Sequence, residues 1–126
     1  MRKVISSNQA PAAIGPYSQA IEVSNMLFIS GQIPVNPETG QIDAEDITGQ
    51  TKQSIANLNA ILKEAGCSLD CVVKTTVFLS DMSHFEGMND VYKSKFTGTF
   101  PARSTIAVKA LPKGALVEIE AIAVKG

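Results

Sequence analysis

Residues Phe100 to Glu120 read FPARSTIAVKALPKGALVEIE, and the reading of this stretch decides how the rest of the chain is arranged. Pro101 lacks a backbone donor and pushes Phe100 towards an extended conformation, so a helix cannot run through it and a strand is expected to begin near Arg103. Ser104 to Ala110 suits a short strand, Leu111-Pro112-Lys113-Gly114 supplies breakers, and Leu116 to Val124 alternates as a second strand. Joined by that loop, the two strands are expected to bring Arg103 and Glu118 within reach of one another. A guanidinium is a rigid fork of donors that matches a carboxylate bidentately, as an ammonium does not. A glutamate nearby can hold or deprotonate a water. The pair therefore describes a site that fixes a small organic acid by one end and hydrates it at the other. An Arg and a Glu on neighbouring strands also form plain structural ion pairs, and spacing alone leaves the function open.

Working outward, Ser83-His84-Phe85-Glu86 fits a capping box, and the helix it starts would line one face with Phe85, Met88, Tyr92 and Phe96. His84, the one histidine, falls in the first turn of that helix and reads as solvated, not as a general base. Cys71 to Leu79 reads as a central strand with Val73, Thr75, Val77 and Leu79 on one face and Val72, Lys74, Thr76 and Phe78 on the other. From Ile47 to Ala65 the residues Ile47, Thr51, Ile55, Leu58, Leu62 and Ala65 recur at helical steps. Asp46 can cap that helix and Gly66 can stop it, with Gln53, Asn57 and Lys63 on its polar side. Gln19 to Val23 and Met26 to Ser30 flank Ser24-Asn25 as a tight hairpin. Gly31 then allows a sharp turn or a close approach of its N–H to a bound carboxylate. Pro34, Pro37 and Gly40 mark an irregular stretch to about Asp46, a candidate wall of a site or a subunit contact. Pro11, Gly15 and Pro16 fix a segment ending on Tyr17, whose ring either packs or offers its phenol to a substrate.

The chain has 126 residues, 44% hydrophobic and 18% charged, with a formal net charge of −1. That is one domain, residues 1–126, with enough material for a core. The charge balance gives no general attraction to phosphate, so nucleic acid is not the expected partner. No apolar run reaches transmembrane length and the first residues lack the apolar core of a signal peptide, so the chain reads as soluble and cytoplasmic, with no membrane partner. Cys67 and Cys71, spaced C-x₃-C, fall short of a zinc set and read as reduced thiols; no metal site is expected. Glu118 and Glu120 share a strand face, roughly 7 Å apart, whereas a glycosidase pair sits across a cleft on separate elements. Both faces of the last strand carry apolar residues, Val117, Ile119, Ala121 and Ala123 against Leu116, Ile122 and Val124. Two helices cover one face of a sheet of about six strands, so another copy of the chain is the expected cover for the other.

Taken in order, several motifs resemble the Rid (YjgF) family of reactive-intermediate deaminases. They are Ala10-Pro11-Ala12-Ala13-Ile14-Gly15-Pro16-Tyr17-Ser18-Gln19, Ser30-Gly31-Gln32-Ile33-Pro34, Val73-Lys74-Thr75-Thr76-Val77-Phe78, Phe100-Pro101-Ala102-Arg103-Ser104, Leu111-Pro112-Lys113 and Val117-Glu118-Ile119-Glu120-Ala121-Ile122-Ala123. The resemblance covers nearly the whole chain. It implies a chorismate-mutase-like α+β fold, a mixed sheet of about six strands with two helices on one face, assembled as a homotrimer with sites between subunits. It implies hydrolysis of small 2-imino acids, 2-iminopropanoate and 2-iminobutanoate, to 2-keto acids and ammonia, without a cofactor. Arg103 would hold the carboxylate with the backbone of Gly31 and Thr105, Glu118 would position the water, and Tyr17, Ser30 and Asn89 would surround the substrate. Thr105 stands where many members have a cysteine, which argues against a thiol nucleophile and leaves substrate preference open. Two other classes stay in view: a small keto-acid-binding module without turnover, and a ribonuclease or translation inhibitor, for which the chain lacks a basic stripe interleaved with aromatics.

Overall fold

The computed structural model describes residues 1–126. Six strands, β1 (Arg2–Ile5), β2 (Ala20–Val23), β3 (Met26–Gln32), β4 (Val72–Leu79), β5 (Ala102–Ala107) and β6 (Val117–Val124), alternate with two helices, α1 (Ile47–Glu64) and α2 (Phe85–Lys95). The strands form one sheet in the order β1-β2-β3-β6-β4-β5. Every neighbouring pair is antiparallel except β4 and β5, which α2 joins as a parallel crossover. Both helices pack on one face, as the sequence implies for an α+β chain. No helix is long and apolar enough to cross a membrane.

Local signals explain most of these elements. Ser24 takes a positive φ of 55° in the two-residue turn between β2 and β3. Asp46 accepts from the Gly49 N–H at 2.9 Å to open α1, and Gly66, at φ 81°, follows its end. The start of α2 differs from the expected capping box. Residues Met82–His84 form a 3-10 turn whose cap is Asp81, accepting from the Ser83 N–H at 2.8 Å, and Ser83 itself caps nothing. That backbone bond also holds the Asp81 carboxyl below the usual carboxylate range. β4 carries a register shift between Val72 and Lys74, so Val72 is buried and Val73 is turned out, the reverse of simple alternation.

The core lies between the helices and the covered face of the sheet. Leu58, Leu62, Val77, Leu79, Val117 and Ile119 are completely buried there. Truncating any one of these leucines to alanine would cost about 2–5 kcal/mol. The opposite face has no cover. Val4, Ile21, Phe28 and Ile122 are directly paired across β1, β2, β3 and β6, forming one apolar row that ends beside Lys74. Val4 and Phe28 in that row are 61% and 43% exposed.

Candidate functional site

Register decides where the two key side chains point. Arg103 pairs with Thr75 and Thr105 with Val77, and Thr75 and Val77 are buried beneath the helices. Paired residues share a face, so Arg103 and Thr105 belong to the covered side. Glu118 pairs with Phe78 and Glu120 with Thr76, both on the open side. The expectation that β5 and β6 would bring Arg103 and Glu118 together in one chain is therefore overturned. β4 is inserted between them, and the two residues are on opposite faces, two strands and three residues apart, or roughly 14 Å between backbones. An intrachain ion pair between them is excluded by the same register.

Arg103 is held in place by rings, not by a carboxylate. Its guanidinium carbon lies 4.7 Å from the centroid of Tyr92 and 5.7 Å from that of Phe85, both on α2. The Tyr92 hydroxyl is already engaged, 2.6 Å from Thr75 Oγ1, and burial pushes its phenol up, against the lowering effects of Thr75 and Arg103. Arg103 makes no salt bridge and no side-chain hydrogen bond, so its fork of donors is free. Asn89, Tyr92, Phe100, Pro101 and Arg103 line a cavity of about 430 Å³. The role of Tyr92 as a platform escapes sequence reading, because its helical spacing marks only an apolar face.

Glu118 is built differently. Burial, followed by repulsion from Glu120, raises its carboxyl above the usual carboxylate range. It too lacks an ion pair. Its carboxyl packs directly on Gly31: a Cβ at that position would lie 2.8 Å from Glu118 Cδ and 3.1 Å from Cγ. Gly31 is needed for this close approach, in the irregular part of β3 where the register with β6 shifts between Ile29 and Gln32. Gly31, Tyr17, Ile14, Ile33, Val35 and Lys113 are among the residues lining a second cavity, of about 360 Å³. Val35, Pro37 and Gly40 of the irregular stretch contribute to it. Tyr17 is 54% exposed at the end of its loop.

Ser30 supports this half and also borders an open cavity of about 650 Å³ on the uncovered face, shared with Lys74, Thr76 and Glu120. Its hydroxyl donates to the Ser18 carbonyl at 2.7 Å, and its N–H donates to the Gln19 carbonyl at 2.9 Å. Gln19, unremarked in the sequence, is buried with its amide accepting from the Ser7 N–H at 2.6 Å and donating to the Pro11 carbonyl at 2.7 Å. Together they pin both ends of the Tyr17 loop. Asn57, expected on the polar side of α1, is instead fully buried and donates to the carbonyls of Ile33 and Val35 at 3.1 and 2.9 Å. Gln50 accepts from the Leu116 N–H at 2.8 Å, just before β6. No local pattern announces these amides, because their partners lie up to 66 residues away. His84 sits at the start of α2 with no side-chain cap bond.

The fold and these two half-sites define a class: a small α+β protein with an unpaired arginine on one face of its sheet and a perturbed glutamate on the other. Residues 7–125 match the family described as endoribonuclease L-PSP, and the chain belongs to that family, also called Rid or YjgF. Over its whole length it is 52% identical to a Mus musculus protein named 2-iminobutanoate/2-iminopropanoate deaminase, covering 93% of that protein. The crystal structure of YyfA, a Rid family protein of Yersinia pestis, superposes with a TM-score of 0.96 at 52% identity, over 98% of this chain and 99% of the other. That of E. coli TdcF with bound serine gives 0.93 at 44% identity, over 98% and 99% of the two chains.

Proposed function

We propose that this protein hydrolyses small 2-imino acids, 2-iminopropanoate and 2-iminobutanoate, to the 2-keto acids and ammonia, as the name of its mouse relative describes for that protein. It acts as a homotrimer, with Arg103 of one copy facing Glu118 of the next across a shared cleft. The observation that carries the reading is that both groups are free of protein partners yet lie on opposite faces of one sheet. Each half then supplies what the other lacks, and the apolar row on the open face gains its cover from the neighbouring copy.

The chemistry asks for positioning more than force, because an imine carbon is already electrophilic. Arg103 takes the carboxylate on its fork, with the backbone N–H groups of Thr105 and Gly31 beside it. Glu118, whose raised affinity for a proton suits it to exchange one, accepts a proton as water adds to C2 and returns it to the nitrogen. The C–N bond of the resulting carbinolamine then breaks, leaving 2-keto acid and ammonia. Tyr17 and Asn89 border the substrate. The protein works in the cytoplasm, where the free thiols of Cys67 and Cys71 fit a reducing compartment.

The test is to generate 2-iminopropanoate enzymatically in a cuvette and follow its decay with the protein and with buffer. Faster decay with the protein is expected. Decay at the buffer rate, with 2-ketobutyrate still bound, would turn the site into a keto-acid-binding module instead.

A further inference from the structure

We propose that the side-chain hydroxyl of Thr105, and not only its backbone, binds the carboxylate held by Arg103, which makes Thr105 a specificity-determining residue of the site. The inference rests on the small-acid site proposed above and adds to it a ligand atom that the backbone role does not contain.

Three hydroxyls in the chain are buried without a hydrogen-bond partner: those of Thr51, Ser54 and Thr105. Thr51 and Ser54 are wholly buried on α1 inside the core, where no ligand reaches. Thr105 is different, because the residue is only partly buried and lies on β5, the edge strand of the sheet, two residues beyond Arg103 and on the same face, so a turn of its side chain brings the hydroxyl towards the arginine's ligand. A buried hydroxyl left unpaired is costly, and a site that a ligand fills is where such a group finds its partner.

The backbone strengthens the case. The Val108 N–H donates to the Leu79 carbonyl at 2.8 Å, which fixes the direction of the whole strand. N–H groups alternate in direction along a strand, so those of Ser104 and Ile106 turn to β4, and those of Arg103 and Thr105 turn to the open edge. β5 thus carries the Arg103 side chain and the Thr105 hydroxyl on one face, with the Thr105 N–H turned to the open edge beside them. An ionised carboxylate offers roughly four lone-pair sites. The bidentate fork fills two, and the hydroxyl of Thr105 shares the remaining two with the backbone N–H groups. Cysteine could not serve equally, since a thiol is a weak donor.

The experiment compares wild type, Thr105→Val and Thr105→Ser, with Arg103→Ala as the reference for lost binding. 2-Ketobutyrate affinity is read by titration calorimetry and KM by imine decay. Valine keeps the shape and removes the hydroxyl, so Thr105→Val is expected to weaken 2-ketobutyrate and raise KM about tenfold, as for one hydrogen bond to a charged group, and Thr105→Ser to restore both to within about threefold. Wild-type affinity in Thr105→Val would overturn the proposal, as would a loss that serine does not repair. Calorimetry keeps this distinct from the deaminase reading: a wild type that binds 2-ketobutyrate but leaves imine decay unchanged sinks the deaminase while still testing the hydroxyl. A wild type that does neither sinks both.

Discussion

Arg103 and Glu118 are organised by opposite means. Arg103 lies on the face roofed by α2, and its guanidinium is oriented by two aromatic rings supplied within the same chain. Glu118 lies on the face with no roof, and room for its carboxyl is made by what Gly31 omits. The covered half is complete as far as one chain can make it, while the open half ends in an apolar row that nothing in the chain covers. The two groups thus lie on surfaces that never meet in the monomer, and under the proposed function assembly is a condition of activity rather than an addition to it.

The largest expected effect comes from the open face. Glu118→Gln should lower kcat by about 10²–10⁴, the usual range for a lost acid–base group, while 2-ketobutyrate binding persists. Unchanged turnover would move the proton chemistry to another residue. On the covered face, Arg103→Ala should lower kcat/KM about a hundredfold or more through lost carboxylate binding, with thermal stability near wild type because no ion pair is broken. A variant that unfolds would mean that the ring-stacked arginine is a structural strut. Gly31→Ala should act first on Glu118: the added Cβ displaces the carboxyl and lowers kcat about tenfold or more, while alanine keeps the backbone N–H that borders the carboxylate and the Arg103 fork is untouched. Equal losses in the two halves would blur the division between them.

The smallest effect concerns stability and has a defined sign. Burial and Glu120 raise the Glu118 carboxyl, so the folded chain holds that proton more tightly than the unfolded chain, and ionisation costs stability. The cost is absent below the unfolded value and complete above the folded one. Glu118→Gln should therefore have a higher Tm than wild type at neutral pH, with the difference shrinking as pH falls through the carboxylate range. A lower Tm at neutral pH would show the carboxylate to be a stabilising contact.

Much of this was legible in the sequence where the signal is local. The caps of α1, the Ser24-Asn25 turn, the alternation of β6 and the X-Pro entry to β5 each follow from residues a few positions apart. The chemistry proposed for Arg103 and Glu118 rests on residue type and family motif. What was not legible is pairing at a distance. Nothing between Leu111 and Gly114 says that β4 will separate the strands on either side, because the parallel crossover through α2 is decided by the sheet as a whole. β1 was missed for a related reason: only Ile5 of its four residues is buried, so it shows little alternation and owes its place to pairing with β2. Asn57 looked solvated because its two carbonyl partners are 22 and 24 residues back along the chain.

The central claim is that one site takes Arg103 and Glu118 from different copies, and mixing two disabled chains tests it most directly. Arg103→Ala and Glu118→Gln chains are unfolded together, refolded at equal ratio, and assayed for imine decay beside each variant alone. In a randomly mixed ring of three, clefts that join an intact Arg103 to an intact Glu118 should restore about a quarter of wild-type activity. Activity in the mixture no higher than the average of the two variants, with mixed oligomers demonstrably formed, would place the whole site within one chain and contradict the account.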